Sequence, residues 1–313
     1  MRVLFWGTPE FAAVPLRTLI GEGFDVIGVV TREDKPQGRS RVLTAPPVKQ
    51  IAIDERIPCF QPATPKDSEF LDMVSVMQPD ISVVVAYGHI LPQKVIDLPA
   101  LGTLNIHASL LPALRGAAPI QAAIRQGFTE TGITIMRMVP ALDAGPVILQ
   151  ASVPVLDDET YGELQLRLAE LGAVAMIEAL ALISIGEAKD APQDDAMATY
   201  ARKVTRDDAR IDWSMHASDA ARVIRAFDPR PGAFTSVNQT DVKMFGPRSV
   251  NPGVGDQEQS TPGTVLSTND GLVIACGSGA LRIEEVQPAG RSRMSSTQWL
   301  RGRGIAVGDR CGN

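Results

Sequence analysis

Residues 104–120 read Leu-Asn-Ile-His-Ala-Ser-Leu-Leu-Pro-Ala-Leu-Arg-Gly-Ala-Ala-Pro-Ile. Residues 103–107 alternate polar and apolar as a strand does, and a period of two sends Asn105 and His107 to the same face. The chain then turns through Pro112 and Gly116 and restarts as a helix, with Pro119 near its first turn and Gly127 just past its end. Strand, loop and helix in that order predict an α/β unit with an amide and an imidazole at the strand's carboxyl end. In open α/β sheets that rim is where ligands bind.

Working outward, residues 2–6 read as a buried first strand, followed by Gly7-Thr8-Pro9, a helix over 11–20 ended by the glycines at 21 and 23, and a strand over 25–30. That βαβ order implies a parallel sheet. The turn after the first strand has one glycine where a dinucleotide fingerprint wants three, so NAD binding is not expected. Residues 31–49 lapse into a long polar stretch that carries Lys35, Arg39 and Arg41, and loops of this length tend to be functional or disordered. Thr64-Pro65 and Asp67 mark the start of a helix that runs to about residue 77. Residues 81–86 form a Val-rich strand with Tyr87-Gly88 at its end, and strands over 133–138 and 147–155 flank a turn that contains Asp143. Thr160 and Glu163 make a capping box for a long helix closed by Gly186. From residue 208 the texture changes to one helix around 217–227 and five short β-like runs, which suggest a small barrel. The expected domains are therefore 1–186 and 208–313, joined by a polar linker over 187–207.

The chain has 313 residues, 44% of them hydrophobic, enough for two domains with real cores. Its net charge of −6 argues mildly against a general nucleic-acid coat protein, although residues 208–313 hold 12 Lys+Arg against 11 Asp+Glu and leave room for a basic face. Three cysteines far apart fit a reducing compartment and no metal-like spacing. The opening apolar run is cut off by residues 7–10 before a signal-peptide core is complete, and the apolar run at 173–185 is too short to span a bilayer. The expectation is a cytoplasmic protein with no membrane contact, no metal and a monomeric state.

Asn105, His107 and Asp143 make a chemical set if the chain returns Asp143 to the same rim. A carboxylate beside an imidazole fixes its tautomer, and a carboxamide can donate to a developing oxyanion. The set contains no good nucleophile, which points to transfer of an acyl-like group to an acceptor that brings its own. Taken on spacing alone, a structural histidine and a turn aspartate fit as well.

Several motifs together resemble the signature of the folate-dependent formyltransferases: Asn105-x-His107, Ser109-Leu110-Leu111-Pro112, Arg115-Gly116-Ala117-Ala118-Pro119-Ile120 and Leu142-Asp143-Ala144-Gly145. Gly7-Thr8-Pro9-x-Phe11, the run from Val84 through Tyr87-Gly88 to Pro92, Ala209-Arg210-Ile211-Asp212-Trp213-Ser214 and Gln287-Pro288-Ala289-Gly290 extend the similarity over nearly the whole chain. The resemblance implies a Rossmann-like, mostly parallel α/β domain followed by an OB-like β-barrel domain. It further implies 10-formyltetrahydrofolate as formyl donor and the α-amino group of initiator methionyl-tRNA as acceptor. In that reading His107 transfers the proton, Asn105 holds the oxyanion, and Asp143 orients His107. Val85, Tyr87 and Gly88 line the folate site and Ser109, Leu110, Leu111 and Pro112 border it, while Lys35, Arg39 and Arg41 approach the tRNA. Arg291, Arg293, Arg301 and Arg303 are candidates for phosphate contacts from the second domain. The rivals are a family member acting on a nucleotide-sugar amine or glycinamide ribonucleotide, a formyl-folate hydrolase, and a catalytically silent RNA-binding protein.

Overall fold

Apolar residues without alternation are expected in strands covered on both faces, and the first strand, buried from Val3 onward, is the hub of such a sheet. The computed structural model describes residues 1–37, 42–250, 260–269, 271–302 and 304–312. It divides into two compact units: Met1–Pro119, Glu130–Pro154 and Gln165–Ala201 form the first, and Ile120–Thr129, Val155–Leu164 and Arg202–Asn313 the second.

The strands of the first unit are β1 (Arg2–Gly7), β2 (Asp25–Val30), β3 (Lys35–Gln37), β4 (Val42–Thr44), β5 (Cys59–Phe60), β6 (Ile81–Val85), β7 (Thr103–His107), β8 (Arg115–Gly116), β9 (Glu130–Arg137), β10 (Val147–Pro154) and β11 (Tyr200–Ala201). Seven of them form one sheet in the order β10-β9-β7-β6-β1-β2-β5. The pairs among β5, β2, β1, β6 and β7 are parallel, while β9 and β10 add antiparallel. The chain lays down β1, β2 and β5 in one direction and then crosses back to place β6 and β7 on the other side of β1. That reversal makes the gap between the ends of β1 and β6 a topological switch point, the usual ligand crevice of such sheets.

Helices α1 (Glu10–Gly21), α2 (Pro47–Asp54), α3 (Ser68–Met77), α4 (Gln93–Ile96), α5 (Pro119–Arg125) and α6 (Tyr161–Ser184) complete the connections. The capping box expected for α6 is present: the Thr160 N–H donates to Glu163 at 2.9 Å and the Glu163 N–H to the Thr160 hydroxyl at 3.3 Å. For α3 the cap is Asp67 rather than Thr64, its carboxylate accepting from the Phe70 N–H at 2.8 Å. The polar stretch after β2 is more structured than its composition suggests. Its described residues form the β3–β4 pair, and α2 begins at Pro47.

In the second unit α7 (Ala217–Ala226) accompanies β12 (Phe234–Val237), β13 (Thr240–Val250), β14 (Val265–Ser267), β15 (Leu272–Ala275), β16 (Ala280–Pro288) and β17 (Met294–Ser295), with α8 (Ser296–Arg301) near the end. The strands make a curled antiparallel sheet in the order β12-β13-β16-β15-β14, with β17 also on β16. This is the small β module that the frequent turns suggest and the OB-like domain that the resemblance implies. β13 continues through Pro247 because β12 pairs only as far as Lys243, so the proline sits where one strand edge needs no donor.

Cys276 and Cys311 are buried and unpaired, and burial pushes both thiols up to about 12. Iodoacetamide at pH 8 should therefore leave both unmodified in the native protein and label all three cysteines after unfolding. Rapid native labelling of either, read by peptide mass, would contradict this burial.

Candidate active site

The switch-point crevice is built from the residues that follow β1 and β6. The Thr8 hydroxyl donates to the Tyr87 carbonyl at 3.0 Å, tying the two strand ends together. Tyr87 is 2% exposed, packs edge-on against Trp6 at 5.3 Å, and its hydroxyl has no partner among the described residues. Burial pushes that phenol up to about 12, so it stays a neutral donor at working pH. Gly88 turns away at φ +89, an angle a side chain resists, and accepts from the Arg32 guanidinium at 3.5 Å. Val85 is fully buried in β6 and serves the core.

One strand over, β7 sets Asn105 in register with Val84 of β6 and Met136 of β9, and His107 opposite Thr134. Period two puts the two side chains on one face, as expected. Asn105 is half-buried, and its carboxamide makes no hydrogen bond with the described residues. His107 is 6% exposed, and its Nε2 lies 3.1 Å from the Leu114 carbonyl. A carbonyl only accepts, so Nε2 carries the proton and Nδ1 is left as the basic nitrogen. Nδ1 faces Asp143 Oδ2 at 3.7 Å. That is too long for a hydrogen bond, so the tautomer is fixed by Leu114 and not by Asp143, whose carboxylate acts across the gap as a charge. Asp143 Oδ2 accepts instead from the Gly116 N–H at 2.7 Å. Gly116 has φ +118, and a Cβ there would lie 2.6 Å from the Ala201 carbonyl oxygen, so no other residue fits.

The loop at 109–112 is held from beneath by β9 and β10. Thr134 donates to the Ser109 carbonyl at 2.7 Å and accepts from the Leu111 N–H at 3.0 Å, while Gln150 donates to the Leu111 carbonyl at 2.8 Å. The Ser109 hydroxyl is occupied with the Ala113 carbonyl at 2.5 Å. Leu110 and Pro112 are the half-buried members of the loop, whereas Ser109 and Leu111 face inward.

Residues absent from the sequence expectation also reach this site. Thr199 accepts from the Leu114 N–H at 2.9 Å, and β11 pairs Tyr200 and Ala201 with Arg115 and Gly116 of β8. Buried Arg115 reaches Gln193 Oε1 and Asp195 Oδ1, at 2.8 and 2.7 Å from Nη2. Burial opposes the Arg115 charge, but Asp195 and Tyr200 more than offset it, and the guanidinium rises above its ordinary value. These partners lie in the stretch read as a linker, roughly 80 residues along the chain, and only its polar composition hinted at them.

Of the basic loop, Lys35 lies exposed on β3, while Arg39 and Arg41 fall outside the described residues. The stem of that loop is clamped: Lys49 donates to both Asp34 oxygens, at 2.8 and 2.9 Å, and to Gln61 at 2.7 Å. The Lys49 and Gln61 hydrogen bonds hold the Asp34 carboxyl below its ordinary value. In the second unit Arg293 is committed to Asp228 at 2.7 Å and to Glu285, and stacks over Phe245. It is thus less available to phosphate than Arg291 or Arg301, which are exposed; Arg303 is outside the described residues. Among the described residues no group of three His, Cys, Asp or Glu is placed to hold a metal ion, and no helix is long and apolar enough to cross a membrane.

Residues 1–180 match the family model described as formyl transferase, and residues 203–304 that of the formyl transferase C-terminal domain. The chain is 43% identical over 303 residues to a methionyl-tRNA formyltransferase of Marinobacter nauticus, covering 96% of each chain. It is 45% identical over 311 residues to the methionyl-tRNA formyltransferase of Aromatoleum aromaticum, covering 99% of this chain and 96% of that one. In fold it resembles HypX from Aquifex aeolicus in complex with tetrahydrofolic acid, with a TM-score of 0.67 and 19% identity over 98% of this chain. The match spans 48% of HypX, about half its length.

Proposed function

The chain belongs to the formyl transferase family, and from that membership we infer that it moves a formyl group from 10-formyltetrahydrofolate to the α-amino group of methionine on initiator tRNA. The observation that carries the chemistry is the pairing at the end of β7. His107 has its Nε2 proton committed to Leu114 and its Nδ1 free, two residues from a carboxamide without a partner among the described residues. The neighbouring Ser109 hydroxyl is occupied by Ala113, so it is not activated as a nucleophile. The attacking atom therefore comes from the acceptor.

In the reaction the methionyl nitrogen attacks the formyl carbon, a new C–N bond forms, and the bond from that carbon to the folate nitrogen breaks. An α-amine of pKa ~8 is already partly neutral near pH 7, so the base chiefly removes a proton as the C–N bond forms. His107 Nδ1 takes that proton and returns it to the departing folate nitrogen. The Asn105 carboxamide donates to the oxyanion of the tetrahedral intermediate, and the Asp143 charge stabilises the imidazolium between the two proton transfers.

For the donor, the exposed backbone at Gly88, with the half-buried Leu110 and Pro112 on the neighbouring strand-end loop, suits a flat, polar-edged heterocycle. We assign Val85, Tyr87, Gly88 and residues 109–112 to its border. For the acceptor, Lys35, Arg39 and Arg41 supply cations for the tRNA end, and residues 208–313 support the tRNA body. The enzyme is assigned as a cytoplasmic monomer that needs no metal.

Formyl transfer from 10-formyltetrahydrofolate is the test, with charged initiator methionyl-tRNA, charged elongator methionyl-tRNA and no tRNA as parallel acceptor conditions. Formylation of the initiator species well above the elongator species is the expected result. Folate release with no formylated tRNA would replace this reading with a hydrolase or an amino-sugar enzyme.

A further inference from the structure

We propose that Gln193 is a positioning residue for formyl transfer, holding the backbone of Asp143 so that its carboxylate stands opposite His107; the inference rests on the reading of Asp143 given above. Asp143 has φ +49, a left-handed backbone that a non-glycine residue keeps only when its surroundings impose it. Something must hold it there, and Gln193 is placed to do so. Its Nε2 donates to the Asp143 carbonyl at 2.9 Å and to the Gly145 carbonyl at 2.7 Å, bracing both sides of the turn.

The orientation of the Gln193 amide is not a free choice. Arg115 approaches the other end of the amide with Nε at 3.1 Å and Nη2 at 2.8 Å. A guanidinium only donates, so Oε1 must face Arg115 and the two N–H groups must face the carbonyls. Arg115 is itself anchored by Asp195 and by its place in β8. The next residue, Gly116, gives its N–H to the Asp143 carboxylate. Two consecutive residues of one strand therefore fix the same aspartate: the Gly116 N–H holds the Asp143 carboxylate, and the Arg115 guanidinium, through Gln193, holds the Asp143 carbonyl. The stretch after α6 thereby becomes part of the catalytic machinery's support.

The test uses Gln193→Glu in the full-length enzyme. Glutamate keeps the size of the side chain and gives Arg115 an ion pair, so the Arg115 side of the bracing survives. It replaces the NH2 group, and with it both N–H donors, by a single oxygen that faces the Asp143 and Gly145 carbonyls, so the clamp becomes a repulsion. The expected result is a folded enzyme with a modestly lowered thermal midpoint, because the ion pair to Arg115 offsets part of the two lost hydrogen bonds, with kcat about tenfold lower and KM for formyl-folate and for tRNA within about threefold. The same substitution in an Asp143→Ala background should change kcat by less than twofold, because no carboxylate is left to position. An unchanged kcat in Gln193→Glu, with Asp143→Ala impaired at least tenfold, overturns the positioning role alone. A full tenfold loss in the Asp143→Ala background also overturns it, because Gln193 then acts by another route. Parent-like transfer by Asp143→Ala instead removes the reading of Asp143, and the proposal with it.

Discussion

Replacing His107 with alanine is expected to lower kcat for formyl transfer by roughly 10²–10⁴-fold, the range that positioned acid–base groups contribute. The same imidazole is asked to take a proton from the amine and to return it to the folate nitrogen, so both halves of the transfer lose their carrier together. His107 is 6% exposed at the carboxyl end of β7, so it offers little of the area that would hold a large RNA. Binding of methionyl-tRNA should therefore persist near the parent level. One structural cost comes with the change: the Leu114 carbonyl loses its donor, a loss of about 1–3 kcal/mol for a buried group, so rates must be compared below the variant's melting transition. A folded His107→Ala enzyme that keeps more than a tenth of the parent kcat would take the imidazole out of the chemistry and reduce it to a strand-end packing residue.

The part of this site that the sequence displayed is the part that local geometry controls. Alternation in a five-residue strand was enough to put Asn105 and His107 on one face, and strand–loop–helix order was enough to put them at the carboxyl rim. Asp143 could be joined to them only on the condition that the chain returned it to the same rim, since nothing local to its turn says which strand end it faces. The positive φ at Asp143 and Leu114 was invisible because neither is glycine, and it exists only where tertiary bonds enforce it. Gln193, Asp195 and Thr199 carry no periodic signal at all. Their roles depend on Arg115 and Leu114, 78 to 85 residues away in the chain, and a polar stretch with one proline looks the same whether it is solvated or bonded. The Lys49–Asp34–Gln61 clamp was hidden for the same reason, its three partners lying just before β3, in α2 and just after β5. In the second unit the composition disclosed five of the six described strands, missing the two-residue β17, and it ended the β13 run at Phe245 because Gly246 and Pro247 read as a break. Only because the β12 pairing stops at Phe234, opposite Lys243, is that proline harmless.

Asn105 offers a cleaner separation of chemistry from stability than His107. Its carboxamide makes no hydrogen bond with the described residues, so Asn105→Ala leaves no orphaned partner among them and should shift folding stability by no more than about 0.5 kcal/mol. A donor without a ground-state bond has its value where charge develops. As the amine adds to the formyl carbon, the carbonyl oxygen becomes an oxyanion, and loss of one preorganised donor typically costs about 10²–10³-fold in kcat. Because that bond strengthens only in the transition state, kcat and kcat/KM should fall together and KM should hold nearly constant. Asn105→Asp sharpens the point. It keeps the shape of the side chain but sets a carboxylate against the forming negative charge, so it should be slower than the alanine variant, although it is the smaller steric change. The order parent, alanine, aspartate follows from an electrostatic role. If aspartate instead retains more activity than alanine, side-chain volume rather than hydrogen-bond donation is what position 105 supplies, and the oxyanion must be held by backbone groups of the neighbouring strand ends.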